Sequence, residues 1–197
     1  MKKPTIKKHI LRIACILTIM ALPNIASAQT ANMTATAEVQ NTLTLATPSQ
    51  LNFGTIAAVS DTTETATATV DTTGVITVAA TAIPAYSAII DDTAVANGQV
   101  TVADGADGGI INITIDNVVN PTNGAENFVL DDFTTSWNGN TATTQAIGTA
   151  FTETFSSAFG GGTNTLDIGA TITTTTIAAG AYTDGTYAGT YDVILSY

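Results

Sequence analysis

The chain has almost no cationic residues, and the few that it has are confined to one end. All five Lys and Arg residues, the one His and the one Cys lie within the first 15 residues, whereas the 16 Asp and Glu residues all come later. An apolar run from Ile13 to Leu22 follows, and then the small residues Ala26-Ser27-Ala28. A charged start, a short apolar core and a small-x-small site are typical of a secretory signal peptide. We therefore predict a signal peptide over residues 1–28 and a single mature domain over residues 29–197.

The predicted mature chain lacks Lys, Arg, His and Cys, and this excludes most kinds of functional site. Nucleic-acid binding requires cations that displace counterions from phosphates. Serine and cysteine nucleophiles need a base or a thiol, and zinc sites need His or Cys. The apolar run at the start is too short to anchor the chain, so we expect no integral membrane segment in the mature chain. The sequence thus indicates an exported protein that is not an enzyme, in the periplasm, at the cell surface or outside the cell.

The composition of the mature chain predicts an all-β fold. Threonine, valine and isoleucine are frequent, and β-branched residues favour strands over helices. Gly, Asn and Asp recur at short intervals, as expected for turns. Alternating polarity predicts strands at Ala31–Leu45, Leu51–Ile56, Thr65–Val70, Val75–Thr81, Tyr86–Ile90, Gln99–Val102, Ile110–Asp116, Leu166–Ile172 and Gly185–Tyr197. Residues 117–159 carry no clear pattern; Phe151 and Phe155 suit a helix or a strand, and the threonines between them favour a strand.

The last predicted strand has an apolar face that the core needs. Alternation places five of its residues on one side, and Gly189 stands among them. These five residues are Tyr187, Tyr191, Val193, Leu195 and Tyr197. The chain thus ends on an aromatic residue that we expect to point inward.

Two further places in the sequence are candidate ligand sites. Asp104 and Asp107 lie in a glycine-rich turn and could hold calcium, but a calcium site needs six or more oxygen ligands and this turn lacks EF-hand spacing. Trp137 is either a core residue or an exposed aromatic on which a sugar could stack, and a lone Trp is usually in the core. We expect no other cofactor.

Four segments of the chain carry a resemblance to a known family: Leu51–Gly54, Ile76–Val78, Thr165–Thr173 and Gly185–Tyr197. They resemble the secreted bacterial domain-of-unknown-function family 4402 over nearly the whole mature chain. The ending of the chain is also similar to spore-coat-U proteins and to the major pilins of archaic chaperone–usher pili, although the cysteine pair of those pilins is absent. The resemblance implies an immunoglobulin-like antiparallel β-sandwich.

The likeness to pilins also implies a role for the start of the mature chain. Such pilins lack one strand, which a periplasmic chaperone lends and the N-terminal extension of the next subunit then replaces, a form of β-augmentation. Gln29–Gln40 has the character of a donor strand, with its small apolar residues at Met33, Ala35, Ala37 and Val39. The alternation continues without a linker into Leu43 and Leu45, which favours instead the first strand of a complete sandwich.

These observations leave two functional expectations. The first is an exported structural or adhesive subunit of the cell surface, similar to a pilin, whose partners are further copies of itself or a chaperone and usher. The alternative is a monomeric extracellular module that binds a glycan or calcium through Trp137 or Asp104. Neither involves nucleic acid.

Overall fold

The computed structural model describes residues 42–80, 86–176 and 180–197, and antiparallel strands account for most of them. In chain order the strands are β1 (Thr44–Ser49), β2 (Thr55–Ser60), β3 (Ala66–Val70), β4 (Ile76–Ala80), β5 (Tyr86–Asp91), β6 (Gly98–Ala103), β7 (Ile110–Asn123), β8 (Glu126–Trp137), β9 (Thr143–Thr144), β10 (Phe151–Thr154), β11 (Asn164–Thr174), β12 (Gly180–Ala181) and β13 (Ala188–Ser196). A 3₁₀ turn at Phe159–Gly161 is the only helical element in the described ranges. The prediction of an all-β fold is confirmed.

The described residues belong to a compact unit, Val39–Tyr197, while a second unit comprises Met1–Glu38. The predicted signal peptide and residues 31–41 of the strand predicted from Ala31 to Leu45 lie outside the described residues. Within the described ranges, no helix is long and apolar enough to cross a membrane.

The long hairpin of β7 and β8 connects the two layers of a sandwich. The two strands pair only at the hairpin end, where Thr122 faces Asn127 and Asn123 faces Glu126. Beyond that point β8 pairs with β11, and β7 pairs with β10 and β13. Asn117 and Asp132 adopt positive φ angles of 50° and 49° where the ladders shift register, as in β-bulges. Each bulge thus lies within a ladder that its strand forms outside the hairpin, Asp132 in the β8–β11 ladder and Asn117 in the β7–β13 ladder.

Strand β11 is the centre of the first layer. One edge pairs with β8, and the other pairs with β6 through Asn164–Ile168 and with β3 through Ala170–Thr173. Strand β1 extends this layer beyond β6, β4 extends it beyond β3, and β9 extends it beyond β8. The other layer contains the β13–β7–β10 group and the separate sheet β12–β2–β5.

The core lies between these layers and is built from alternate residues of the strands. Ile111, Ile113 and Ile115 of β7 are at most 1% exposed, and Leu166 and Ile168 of β11 are fully buried. The described chain has no ion pair, since its ranges contain no Lys, Arg or His. Burial of apolar surface and the ladders of backbone hydrogen bonds therefore hold the fold together.

Three turns share one hydrogen-bond pattern, in which an Asp is followed two residues later by a Thr. In the first, Asp61 Oδ1 accepts hydrogen bonds from the backbone N–H and the hydroxyl of Thr63 at 2.9 and 2.7 Å. Asp71 with Thr73 and Asp91 with Thr93 repeat the arrangement. Short polar side chains that bond to the backbone in this way fix turns locally. Asp71 thereby closes the predicted β3–β4 hairpin, which the structure confirms.

Most predicted strands are confirmed, and two details are corrected. The alternation of Leu43 and Leu45 with polar residues predicts that both lie on a buried face, but Leu45 is 45% exposed. Among the described strands, β1 pairs with β6 alone, and all of its residues but the last are exposed. The strand predicted at Leu51–Ile56 begins only at Thr55, after Gly54. Gly54 has φ +68°, and a Cβ there would lie 2.6 Å from the carbonyl oxygen of Asp91, so the backbone at this position requires glycine.

The stretch without a clear pattern, residues 117–159, contains the end of β7 and all of β8, β9 and β10. The preference for a strand around Phe151 is confirmed, since β10 begins there. Phe155 is buried directly after that strand, whereas Phe159 lies in the 3₁₀ turn and is 38% exposed.

Candidate functional site

A groove of about 770 Å³ lies between β2 and β13, two strands that no described ladder joins. One wall is the segment from Gln50 to Val59, and the other is the segment from Ala181 to Tyr191. Pocket sites in proteins commonly span about 300–1,000 Å³, so the groove is large enough to take a ligand of some size.

The floor of the groove is part of the hydrophobic core. Phe128, Leu130 and Ile172 line it, and each belongs to the core cluster and is no more than 5% exposed. Leu51, Phe53 and Ile56 form an apolar wall on the β2 side, and all three are half-buried against the core. Any apolar side chain that entered the groove would therefore join the core.

The two strands beside the groove present backbone without a strand partner. Strand β13 pairs with β7 along one edge, and no described strand pairs with its other edge. Strand β2 pairs with β5 along one edge. On the other edge β12 covers Val59 and Ser60, and the Tyr182 N–H donates a hydrogen bond of 3.0 Å to the Ala58 carbonyl, so that only residues 55–57 lack a described strand partner there. Unpaired edges of this kind are templates for the addition of another strand. The groove thus combines an apolar floor with free backbone donors and acceptors.

Three aromatic rings and one carboxylate fix the wall on the β13 side. Phe128 stacks on Tyr182 at 4.4 Å between ring centroids and meets the edge of Tyr187 at 5.1 Å. The Tyr187 hydroxyl donates a hydrogen bond of 2.5 Å to Glu126 Oε2, which also accepts one from the Thr183 N–H at 2.6 Å. These hydrogen bonds lower the pKa of Glu126, while burial and then the bond to Glu126 raise the pKa of Tyr187. The wall is therefore held in place before any ligand enters.

The five residues predicted to share a face of the last strand do not all reach the core. Tyr187, Tyr191, Val193 and Leu195 are half-buried and pack against it. Tyr197 is 42% exposed, since its ring lies over the turn at Ala106–Gly109 and its hydroxyl accepts a hydrogen bond from the Ala106 N–H at 2.8 Å. The inward position expected for Tyr197 is thus corrected.

A second, more open cavity of about 570 Å³ lies at the far end of β13. Leu43, Leu45, Leu195 and Tyr197 contribute its apolar lining. Leu43, immediately before β1, therefore lies beside the last residues of β13. The candidate donor residues Met33, Ala35, Ala37 and Val39 themselves lie outside the described residues.

The two calcium candidates are engaged with the protein. The Asp104 carboxylate accepts a hydrogen bond from the Thr44 hydroxyl, and Asp107 Oδ1 accepts one of 2.8 Å from the Ser157 N–H. Across the described ranges, no group of three or more His, Cys, Asp or Glu residues is arranged to hold a metal ion. Calcium binding at this turn stays a prediction.

Trp137 lies in the core at 4% exposure, and its Nε1–H donates a hydrogen bond of 3.0 Å to the carbonyl oxygen of Thr154. The indole joins the end of β8 to β10. A ring buried to this degree presents no face on which a sugar could stack.

Sequence reasoning identified the β13 wall of the groove but missed the opposite one. The sequence does contain an indication of this second wall, because Leu51, Phe53 and Ile56 are apolar residues on either side of Gly54, where the chain bends. Their pattern predicted a half-buried strand, yet a pattern of burial does not tell which neighbouring strand is missing.

Comparison with known proteins gives one match. No curated protein and no solved structure matches the chain significantly. A family model described as "Domain of unknown function (DUF4402)" matches residues 43–197, which include every described strand. Because this match covers most of the chain, the protein belongs to the DUF4402 family of domains of unknown function.

Proposed function

We propose that this protein is an exported structural or adhesive subunit of the cell surface that assembles by strand donation between copies, as pilin subunits do. The single observation that carries the proposal is the groove between β2 and β13, which is lined by core residues and lies beside the free edge of β13 and the uncovered start of β2. A strand placed there would bury apolar side chains and gain backbone hydrogen bonds at the same time.

The segment Gln29–Gln40 of a second copy is the proposed occupant. Its apolar residues are small and recur at every second position, which matches the alternate pockets that an added strand fills. The charged start and apolar run before it support export, and the likeness of the chain end to spore-coat-U proteins and archaic pilins supports a place at the cell surface. A chaperone and usher are the proposed partners before assembly.

Blocking the groove tests the proposal. Ile56→Arg places a charged side chain in the apolar wall, and we expect the purified mature chain to lose its detergent-resistant, heat-labile ladder on gels. Val75→Arg is the matched control, because Val75 is an aliphatic residue that is 56% exposed in the β3–β4 turn, away from the groove. Circular dichroism should show the same β content in both variants.

Deletion of Gln29–Val39 tests the donor strand itself. We expect the shortened chain to form no ladder and to gain thermal stability when a peptide with the sequence of Gln29–Gln40 is added, since a ligand that binds only the folded state raises its stability. A mature chain that stays monomeric under all conditions, or ladders that persist in Ile56→Arg, would contradict the proposal.

A further inference from the structure

Carboxylates stand at the rim of the groove. Asp184 lines the groove and is exposed. Glu126 accepts hydrogen bonds from the Tyr187 hydroxyl and the Thr183 N–H, and both Tyr187 and Thr183 line the groove. The hydrogen bonds from Tyr187 and Thr183 lower the pKa of Glu126, so this carboxylate is ionised at neutral pH. A strand that approaches the Tyr187 side of the groove therefore meets negative charge.

The proposed occupant brings more negative charge and no positive charge. Residues 13–197 contain all 16 Asp and Glu residues and no Lys, Arg or His, and Glu38 lies within the segment Gln29–Gln40. Two mature copies are thus polyanions, and each one repels the other as they approach. The range of this repulsion falls with salt, because the Debye length shortens from about 30 Å at 0.01 M to about 3 Å at 1 M ionic strength.

We infer that ionic strength controls the entry of a second copy's strand into the groove: copies repel one another in dilute salt and assemble once salt screens their carboxylates. The inference rests on the proposed function and concerns its regulation. It requires screening by ions in bulk solution and no bound ion. Most charged interfaces join opposite charges and weaken with salt, so the expected dependence here has the opposite sign.

The rate of self-assembly of the mature chain, followed by light scattering, tests the inference. We expect the rate to rise about tenfold or more between about 0.01 M and 1 M NaCl, in line with the size of electrostatic effects on association. Salt also strengthens apolar burial, so charge variants must be compared at the same salt concentration. Glu38→Gln and Glu38→Lys change the charge of the donated strand and leave the described domain unaltered.

At about 0.01 M NaCl we expect Glu38→Lys to assemble about tenfold faster than the natural chain, with Glu38→Gln between them. The three rates should converge at about 1 M NaCl. Asp184→Asn at the rim should also assemble faster in dilute salt. Asp132→Asn is its matched control, because Asp132 is also exposed but does not line the groove.

Rates that are independent of salt, a Glu38→Lys variant no faster than the natural chain, or equal effects of Asp184→Asn and Asp132→Asn would each overturn the inference. An effect of CaCl₂ beyond that of NaCl at equal ionic strength would also overturn it, in favour of a specific ion. If neither the natural chain nor any variant assembles at any salt concentration, the proposed strand donation is wrong. The gel comparison of the natural chain with Ile56→Arg tests strand donation independently of salt.

Discussion

The hydroxyl of Tyr191 lies directly against the α-carbon of Gly98, so that a Cβ at position 98 would overlap with the phenol oxygen. Tyr191 belongs to β13 in one layer and Gly98 to β6 in the other. The ring also contacts Phe133 at 5.2 Å between centroids, and burial raises the pKa of Tyr191 to about 12. The Tyr191 side chain, which is itself part of the groove wall, thus contacts both β6 and Phe133 of β8.

Gly98→Ala should lower the free energy of unfolding by about 1–3 kcal/mol, as overpacking of a core usually does. Because the overlap involves the hydroxyl, the cost should be smaller in a Tyr191→Phe background, and a double-mutant cycle by urea unfolding measures this coupling. Gly180→Ala is the control, since nothing lies within 4 Å of a Cβ there. Equal costs of Gly98→Ala in both backgrounds would show that the hydroxyl is not the obstacle.

A fully buried amide ties the loop after β10 to the end of β8. Asn164 Oδ1 accepts hydrogen bonds from the Ser156 N–H at 3.0 Å and the Asn138 side chain at 2.8 Å, and Asn164 Nδ2 donates to the Ser156 carbonyl at 2.9 Å. Asn138 has φ +53° and in turn accepts a hydrogen bond from the Thr165 N–H at 2.9 Å. The two asparagines therefore satisfy backbone groups that no strand ladder satisfies.

Asn164→Ala should cost about 2–4 kcal/mol of unfolding free energy, because it leaves buried donors and acceptors without partners. Asn140→Ala is the matched control, as Asn140 is exposed and close by in the turn after β8. We expect that control to change the free energy by less than about 0.5 kcal/mol in the same urea titration. A loss of similar size in both variants would contradict the role assigned to Asn164.

The sequence predicted most strands because one-face burial imposes a period of two on side chains. Leu166–Ile172 and the β3–β4 hairpin are clear examples, where each inward residue is apolar and each turn has its Asp or Gly. The β7–β8 hairpin was missed, because bulges at Asn117 and Asp132 interrupt the alternation within each strand. The groove could not be predicted, since a missing neighbour leaves no mark on the period of the strands beside it.

The negative charge of Asp131 destabilises the folded state, and burial raises the pKa of Asp131 as it does that of Glu153. The Asp131 Oδ1 atom is buried and has no hydrogen-bond partner within the described ranges. Burial, and then repulsion by Asp132, raises the pKa of Asp131 above its ordinary value of 3.8. A carboxyl whose pKa is higher in the folded state binds protons more readily there, so its ionisation lowers stability as the pH rises above 3.8.

Asp131→Asn should therefore raise the free energy of unfolding at pH 7, by up to about 1 kcal/mol because the site is only partly buried. The gain should shrink toward zero near pH 3, where the natural carboxyl is itself protonated. Urea titrations at both pH values measure the difference, and Asp167→Asn serves as a contrast because Asp167 Oδ1 accepts hydrogen bonds from Asn97 and Gln99. If Asp131→Asn lowered stability at pH 7, the Asp131 carboxylate would have a favourable partner. The lack of a hydrogen bond to Oδ1 would then not explain the raised pKa.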